Sequence, residues 1–350
     1  MKNYIIPIFI PHYGCTHECI FCNQRKITGI ESPILPIQVI NTIEDHLGMI
    51  TQSRKIEVAF YGGSFTALPI STQRDLLMPA YNALKKGQIH TIRISTRPDC
   101  INAEIMNFLY SLGVEIIELG VQSLDDKVLQ SAGRGHTTQA VFDAVSVIRQ
   151  YPLKCGLQLM PGLPGEDYSS LINTAIKTVT LRPDFVRIYP TLVIANTKLA
   201  ELYRQGEYQP LSLDQAVKRA SYLKLLFERN GITVIRTGLQ ATKELDNSEV
   251  VLDGPYHPAF GELVDSYIFK ILITQFFDQL SGKSTSIVIH HHPKDTSKVR
   301  GLKNGNILKW YSESMFDDIT LIQDGLKLNE VVIEHNHNQY LLNKFMLEHV

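Results

Sequence analysis

The 350-residue chain reads as an α/β protein built on a parallel sheet, followed by a small α+β region. Three observations predict this. Short β-type runs alternate with longer amphipathic runs as far as residue 189. Turn-forming and polar residues gather at the end of each β-type run. Three cysteines fall in a tight loop just after the first of them.

The candidate strands are 3–10 (NYIIPIFI), 55–61 (KIEVAFY), 90–95 (HTIRIS), 115–119 (EIIEL), 154–160 (KCGLQLM) and 184–189 (DFVRIY). Between them, 37–49, 71–87, 102–112, 138–150 and 167–180 carry apolar residues three and four apart, the helical period. Such alternation implies right-handed βαβ units and a parallel sheet, and six units suggest a partial barrel. Function in such barrels collects at the carboxyl ends of the strands. The cysteine loop follows the first strand, Gly62-Gly63-Ser64 the second and Ser95-Thr96-Arg97-Pro98-Asp99 the third. Gly120-Val121-Gln122-Ser123 follows the fourth, Met160-Pro161-Gly162-Leu163-Pro164-Gly165 the fifth and Tyr189-Pro190-Thr191 the sixth. Unrelated surface loops would not load all six ends of one rim in this way.

At 44% hydrophobic the chain can bury a sizeable core, and its net charge of −1 gives no global nucleic-acid signal. The charge is uneven: 10 basic against 15 acidic residues over 241–350, a balance of −5, leave 24 against 20, or +4, for 1–240. Pro7 and Pro11 break the apolar run at 5–11, so it does not read as a signal peptide, and no stretch approaches the length of a membrane span. The expectation is a cytoplasmic protein with no membrane partner. Clustered cysteines then read as metal ligands, not disulfides. The isolated Cys100 and Cys155 read as small packing residues, too few to ligate a second cubane cluster.

Cys15, Cys19 and Cys22 are spaced C-x3-C-x2-C, with Phe21 just before the last. Three thiolates can hold three irons of a [4Fe–4S] cluster, which normally takes four cysteines, and leave the fourth iron open for an outside ligand. A zinc knuckle using His17 as fourth ligand is the rival on residues alone; structural zinc more often takes its ligands as two close pairs.

This spacing resembles the signature of the radical S-adenosylmethionine (SAM) superfamily. The resemblance implies a partial (β/α)6 barrel, a [4Fe–4S] cluster and SAM as cofactors, and an electron donor of flavodoxin or ferredoxin type. It implies that SAM chelates the open iron and that one electron splits it to a 5′-deoxyadenosyl radical. Carried over position by position, Cys15, Cys19 and Cys22 hold the cluster, and Gly62, Gly63 and Ser64 receive the methionine amine. Gln122 and Arg134 approach the ribose and carboxylate. The Arg134 fork suits a carboxylate. Phe21 lies near the adenine. Ser95 and Gln158 stand where relatives carry Glu and Asp, so the ribose contacts depart from the family pattern.

Within the superfamily, the radical SAM half of the Elongator catalytic subunit family is the nearest resemblance. It rests on Thr96-Arg97-Pro98-Asp99, on Gly120-Val121-Gln122-Ser123 with Arg134-Gly135-His136, and on Ile188-Tyr189-Pro190-Thr191-Leu192-Val193-Ile194 with Thr197, Leu199, Tyr203, Gly206 and Tyr208. That family modifies wobble uridines of tRNA, so tRNA or another RNA is the implied partner, with Arg97 and Tyr189 as substrate contacts. No acetyl-CoA pattern is legible after 245, so the acetyltransferase half is not carried over. Gly282-Lys283-Ser284-Thr285 lacks the rest of a P-loop and reads as a turn. The core also resembles the anaerobic coproporphyrinogen dehydrogenase group, which would make the substrate a porphyrin. A non-catalytic Fe–S or RNA-binding protein is the alternative from another class.

The expected division is a barrel over 1–245 and an α+β region over 246–350. In the latter, 258–280 reads as a helix, and 286–290 and 318–322 as strands. Between those strands, Gly301-Leu302-Lys303-Asn304-Gly305 separates two short helical stretches. The order resembles a degenerate KH module, whose glycine loop clamps a single-stranded backbone. Lys298, Arg300 and Lys303 are the candidate RNA contacts, inside a stretch (294–309) with five basic residues and one acidic. Adjacent strand residues face opposite sides, so His290, His291 and His292 read as strand residues and not a metal site.

Overall fold

The computed structural model describes residues 3–10, 15, 17–23, 34–51, 54–242, 245–280, 286–313 and 316–347. Gly282–Thr285, expected as a turn, lie outside the described residues, as do Pro11, Gly14 and Thr16.

The six expected strands all form, as β1 (Asn3–Ile10), β2 (Lys55–Gly62), β3 (Thr91–Thr96), β4 (Val114–Gln122), β5 (Lys154–Leu159) and β6 (Phe185–Ile188). After the short β7 (Val193–Ile194) a further strand, β8 (Thr233–Thr237), completes a seven-stranded sheet in the order β1-β2-β3-β4-β5-β6-β8. Every pairing in it is parallel, and the sheet curls into a half-barrel. The seventh strand adds an edge to the six expected units. It is short, and no residue of it is fully buried. Its sequence, TVIRT, therefore lacks the apolar run that marked the others.

The five expected helices lie within two residues of their anticipated ends. Local chemistry sets several starts. Asp167 accepts from the Ser170 backbone N–H at 2.8 Å to open Tyr168–Leu181. Ser212 and Gln215 form a reciprocal capping box ahead of Leu213–Arg229.

Outward-facing strand residues such as Ile6, Ile8, Val58, Ile92, Ile94 and Ile117 pack under these helices with almost no exposure. The same apolar cluster continues through Val264, Ile268 and Phe269 of the helix Phe260–Phe277 to Ile287 and Ile333 of a second sheet. Asp265 ties that helix to Lys224 of Leu213–Arg229.

The second sheet has the order β11-β10-β12-β13, built from β10 (Ser286–His291), β11 (Asp318–Gln323), β12 (Glu330–His335) and β13 (Asn338–Asn343). β10 and β11 run parallel and are joined by Thr296–Arg300, the Gly301–Asn304 turn and Gly305–Ser312, as anticipated. β12 and β13 were not anticipated. β7 pairs with β9 (Val251–Asp253) in a small antiparallel ribbon. Among the described residues no helix is long and apolar enough to cross a membrane.

Candidate active site

All six expected motifs lie on one rim, at the carboxyl ends of parallel strands. The cysteine loop is anchored there by backbone bonds. Ile20 N–H donates to the Ala132 carbonyl at 3.2 Å, Leu199 N–H to the Ile20 carbonyl at 2.7 Å, and Cys22 N–H to the Cys19 carbonyl at 3.0 Å. The Phe21 ring packs among Val128, Ala132, Leu163, Val193, Leu199 and Tyr208. Its observed role is therefore to pin the loop.

Arg134 reaches back to this loop. Its Nη1 donates to Cys19 Sγ at 3.0 Å, and Nη2 to the Gly120 carbonyl. Arg97, expected as a substrate contact, is 3% exposed. Two of its three nitrogens are engaged, Nε with Asp99 at 2.9 Å and Nη2 with Asp99 at 2.9 Å and the Arg134 carbonyl at 2.6 Å. It fixes the backbone that carries Arg134. A Cβ on Gly135 would fall 2.1 Å from the His17 ring, and its φ of 71° lies in the region that favours glycine, so the two loops approach closely here. Burial, together with the Arg134 and Arg97 cations, lowers the His136 pKa to about 3 and keeps that ring neutral.

Gly62 adopts φ 104°, a region that glycine alone enters without strain, and Gly63 N–H is held by the Ile10 carbonyl at 2.8 Å. Ser64 Oγ stands 3.8 Å from Cys15 Sγ. Gln122 sits at a bulge in the β4–β5 pairing with φ 70°, and its amide oxygen accepts from Gln158 at 3.1 Å. Bulges of this kind re-aim side chains beside active sites.

Among the described residues no three His, Cys, Asp or Glu groups already stand as a metal-ligand set, so the thiol trio is not gathered in advance. Metal binding commonly completes such a loop, since the ligation energy is also folding energy. The surroundings fit a [4Fe–4S] cluster with SAM. All three cysteines are free of disulfides. On the same rim, Arg134 Nε and Ser95 Oγ are buried without a hydrogen-bond partner, donors that suit a group filling the rim. The two remaining cysteines behave as expected: burial raises both thiols, Cys155 to about 12.

A second layer below the rim was missed. Glu57, Arg93, Glu118 and Arg187 form a buried ionic column inside the half-barrel. Arg93 binds Glu57 at 2.6 Å and Glu118 at 2.9 Å, and Arg187 binds Glu118 at 2.8 Å. Arg187 also donates to Tyr189 Oη at 2.8 Å and Tyr61 Oη at 3.3 Å. The signal was in the sequence: KIEVAFY, HTIRIS, EIIEL and DFVRIY each carry a charge in the strand interior, which only a partnered, inward position tolerates. Between β10 and β11, Lys298 is bound to Asp295 at 3.0 Å and Asp265 at 3.5 Å, whereas Arg300 and Lys303 are exposed.

Comparison with known proteins agrees with this geometry. The model of the Radical SAM superfamily matches residues 9–176, and that of the Radical_SAM C-terminal domain matches 183–270. The chain belongs to the radical SAM superfamily; it is an enzyme whose cofactors are a [4Fe–4S] cluster and SAM. Its core is of the Elongator catalytic subunit type. A tRNA uridine(34) acetyltransferase of Methanocaldococcus jannaschii is 30% identical over 307 residues, covering 76% of this chain and 56% of that protein. Elongator complex protein 3 of Saccharomyces cerevisiae is 32% identical over 184 residues, 47% of this chain and 33% of that one. The solved structure of archaeal Methanocaldococcus infernus Elp3 with an N-terminal deletion superposes with a TM-score of 0.61 at 26% identity, over 77% of this chain and 63% of that chain. The chain spans about half the length of the curated relatives it matches.

Proposed function

We propose that this enzyme reductively cleaves SAM at a cluster held by Cys15, Cys19 and Cys22 and directs the resulting radical chemistry at a uridine of tRNA. The observation that carries the first half is the Arg134–Cys19 contact at 3.0 Å, which couples the cysteine loop to the β4 end where Gln122 turns. The second half rests on the relatives, whose names describe tRNA uridine(34) chemistry and Elongator function.

When bound, the cluster and SAM supply one-electron cleavage and a hydrogen-abstracting carbon radical. The chain's own residues do the rest. Gly62, Gly63 and Ser64 offer a close-approach backbone and a hydroxyl for the amino acid end of SAM. Gln122, Gln158 and Ser95 would hold its ribose. Arg134 sets charge beside Cys19 and would hold the carboxylate, and Arg97 with Asp99 holds it in place. Phe21 keeps the loop seated and excludes water from its inner side. Tyr189 stands at the mouth toward substrate. An electron donor of flavodoxin or ferredoxin type would dock at this rim. In this reading 1–245 is the catalytic barrel, and 246–350 carries Arg300 and Lys303 as an outlying phosphate contact, with Lys298 supporting them. The acetyl-CoA chemistry of the longer relatives is not assigned to this chain.

The test is anaerobic reconstitution, then dithionite and SAM with and without total tRNA. Mass spectrometry should find 5′-deoxyadenosine formed and a uridine of the tRNA altered. Turnover of SAM with a porphyrinogen and none with any RNA would move the substrate to the small-molecule class. No cleavage at all under reducing conditions would make the chain a non-catalytic Fe–S protein.

A further inference from the structure

The ionic column ends at the rim in two phenols whose hydrogen-bond inventory is lopsided. Arg187 is donor-only, and it donates to both Tyr189 Oη and Tyr61 Oη. Each phenol oxygen therefore spends acceptor capacity on the guanidinium and must turn its own proton elsewhere. Among the described residues neither phenol proton meets an acceptor. Both groups stay protonated at neutral pH, because burial raises both pKa values against the pull of Arg187. The two oxygens ride on one guanidinium, so they lie near each other. That guanidinium is fixed from below by Glu118 at 2.8 Å. Tyr61 immediately precedes Gly62, at the motif assigned to SAM, and Tyr189 closes β6. Arg236 on β8 stands in register with Arg187 and acts electrostatically on Tyr189. The floor of the mouth is thus rich in donors.

We propose that the Tyr61 and Tyr189 hydroxyls are a specificity element that reads a carbonyl oxygen of the substrate base, accepting a keto pyrimidine and rejecting an amino pyrimidine. This rests on the RNA reading above. Uracil offers an O4 acceptor where cytosine offers an N4 amino donor, and two fixed O–H donors favour the first and oppose the second. Sites that hydrogen-bond a substrate group discriminate strongly because the mismatch leaves buried polar groups unpaired.

The test is equilibrium binding, with no reductant, of the cluster-loaded, SAM-bound enzyme to two anticodon stem-loops that differ only by uridine or cytidine at the first anticodon position. Fluorescence anisotropy reads both affinities. The wild type should prefer the uridine RNA by at least about 10-fold, the worth of one hydrogen bond. In the Tyr61→Phe/Tyr189→Phe double variant the ratio should fall to about 1, by loss of uridine affinity and not gain of cytidine affinity. Should that variant fail to load iron, Tyr61→Phe alone carries the test, since it removes only the longer, 3.3 Å bond to Arg187. Wild-type selectivity that survives both substitutions overturns the inference and leaves the RNA reading standing. Equal wild-type binding of the two RNAs also overturns it. A wild type that binds neither RNA removes the RNA reading, and this inference falls with it.

Discussion

The arginines of the barrel and the basic residues between β10 and β11 carry the same charge under opposite conditions. Arg93, Arg97, Arg134 and Arg187 are all under 9% exposed, and each is held by two or more partners. Arg300 and Lys303 are exposed and, among the described residues, make no ion pair. The first arrangement costs desolvation and yields fixed geometry, which radical placement needs. The second costs little and yields only adaptable attraction for a polyanion. Lys298 is the instructive exception: it lies in the basic stretch of the tail but is held like a barrel residue, between Asp265 and Asp295. Charge count alone did not separate these uses; the partners did.

The contrast can be broken most severely at its most fixed point. Cys19→Ala should reduce bound iron and SAM cleavage to background, and Arg134→Ala, which keeps all three thiols, should cost about 10–100-fold in cluster or SAM affinity, as loss of an outer-sphere partner does. Iron analysis and 5′-deoxyadenosine yield check both. Next, Glu118→Leu should destabilise the fold by about 3–5 kcal/mol, since Arg93 and Arg187 would both lose a buried counter-charge. Chemical denaturation measures this, and a cost under 1 kcal/mol would mean that water reaches the column.

A third prediction concerns Glu166, in the loop between β5 and the helix Tyr168–Leu181. Burial raises its pKa to about 7, against the opposing pull of Gly162 N–H and Arg219. A carboxyl that binds its proton more tightly when folded contributes stability below its unfolded pKa and loses it as pH rises through the folded one. Stability should therefore decline from about pH 4.5 to about pH 7 through this group, by on the order of 3 kcal/mol, and Glu166→Gln should flatten that slope. The smallest effect belongs to the exposed pair. Arg300→Ala and Lys303→Ala should leave SAM cleavage intact while each lowers the slope of log K against log salt for tRNA by about 1. An unchanged slope would show that the tail loop never meets the backbone.

The parallel sheet was legible because β1 to β6 are buried and their strand–helix period is clean. β8 was not, since an edge strand with half-exposed residues carries little apolar signal. β12 and β13 escaped for a different reason: EVVIEH alternates well, but nothing in the sequence tells which sheet it joins. At the rim, motif positions were readable and side-chain roles were not. Arg97 was readable as a polar rim residue, but its bonds to Asp99 and the Arg134 carbonyl, which make it a support for Arg134, were not. Glu57, Arg93, Glu118 and Arg187 were visible as anomalies within apolar strands, yet their pairing depends on inter-strand register, which a single sequence does not contain.

The most direct measurement is the EPR spectrum of anaerobically reconstituted, dithionite-reduced enzyme before and after SAM is added, alongside iron and sulfide analysis. The account predicts about four irons and four sulfides per chain and a reduced-cluster signal that shifts when SAM occupies the iron the three thiolates leave open. Zinc in place of iron, or a cluster signal indifferent to SAM, would contradict it.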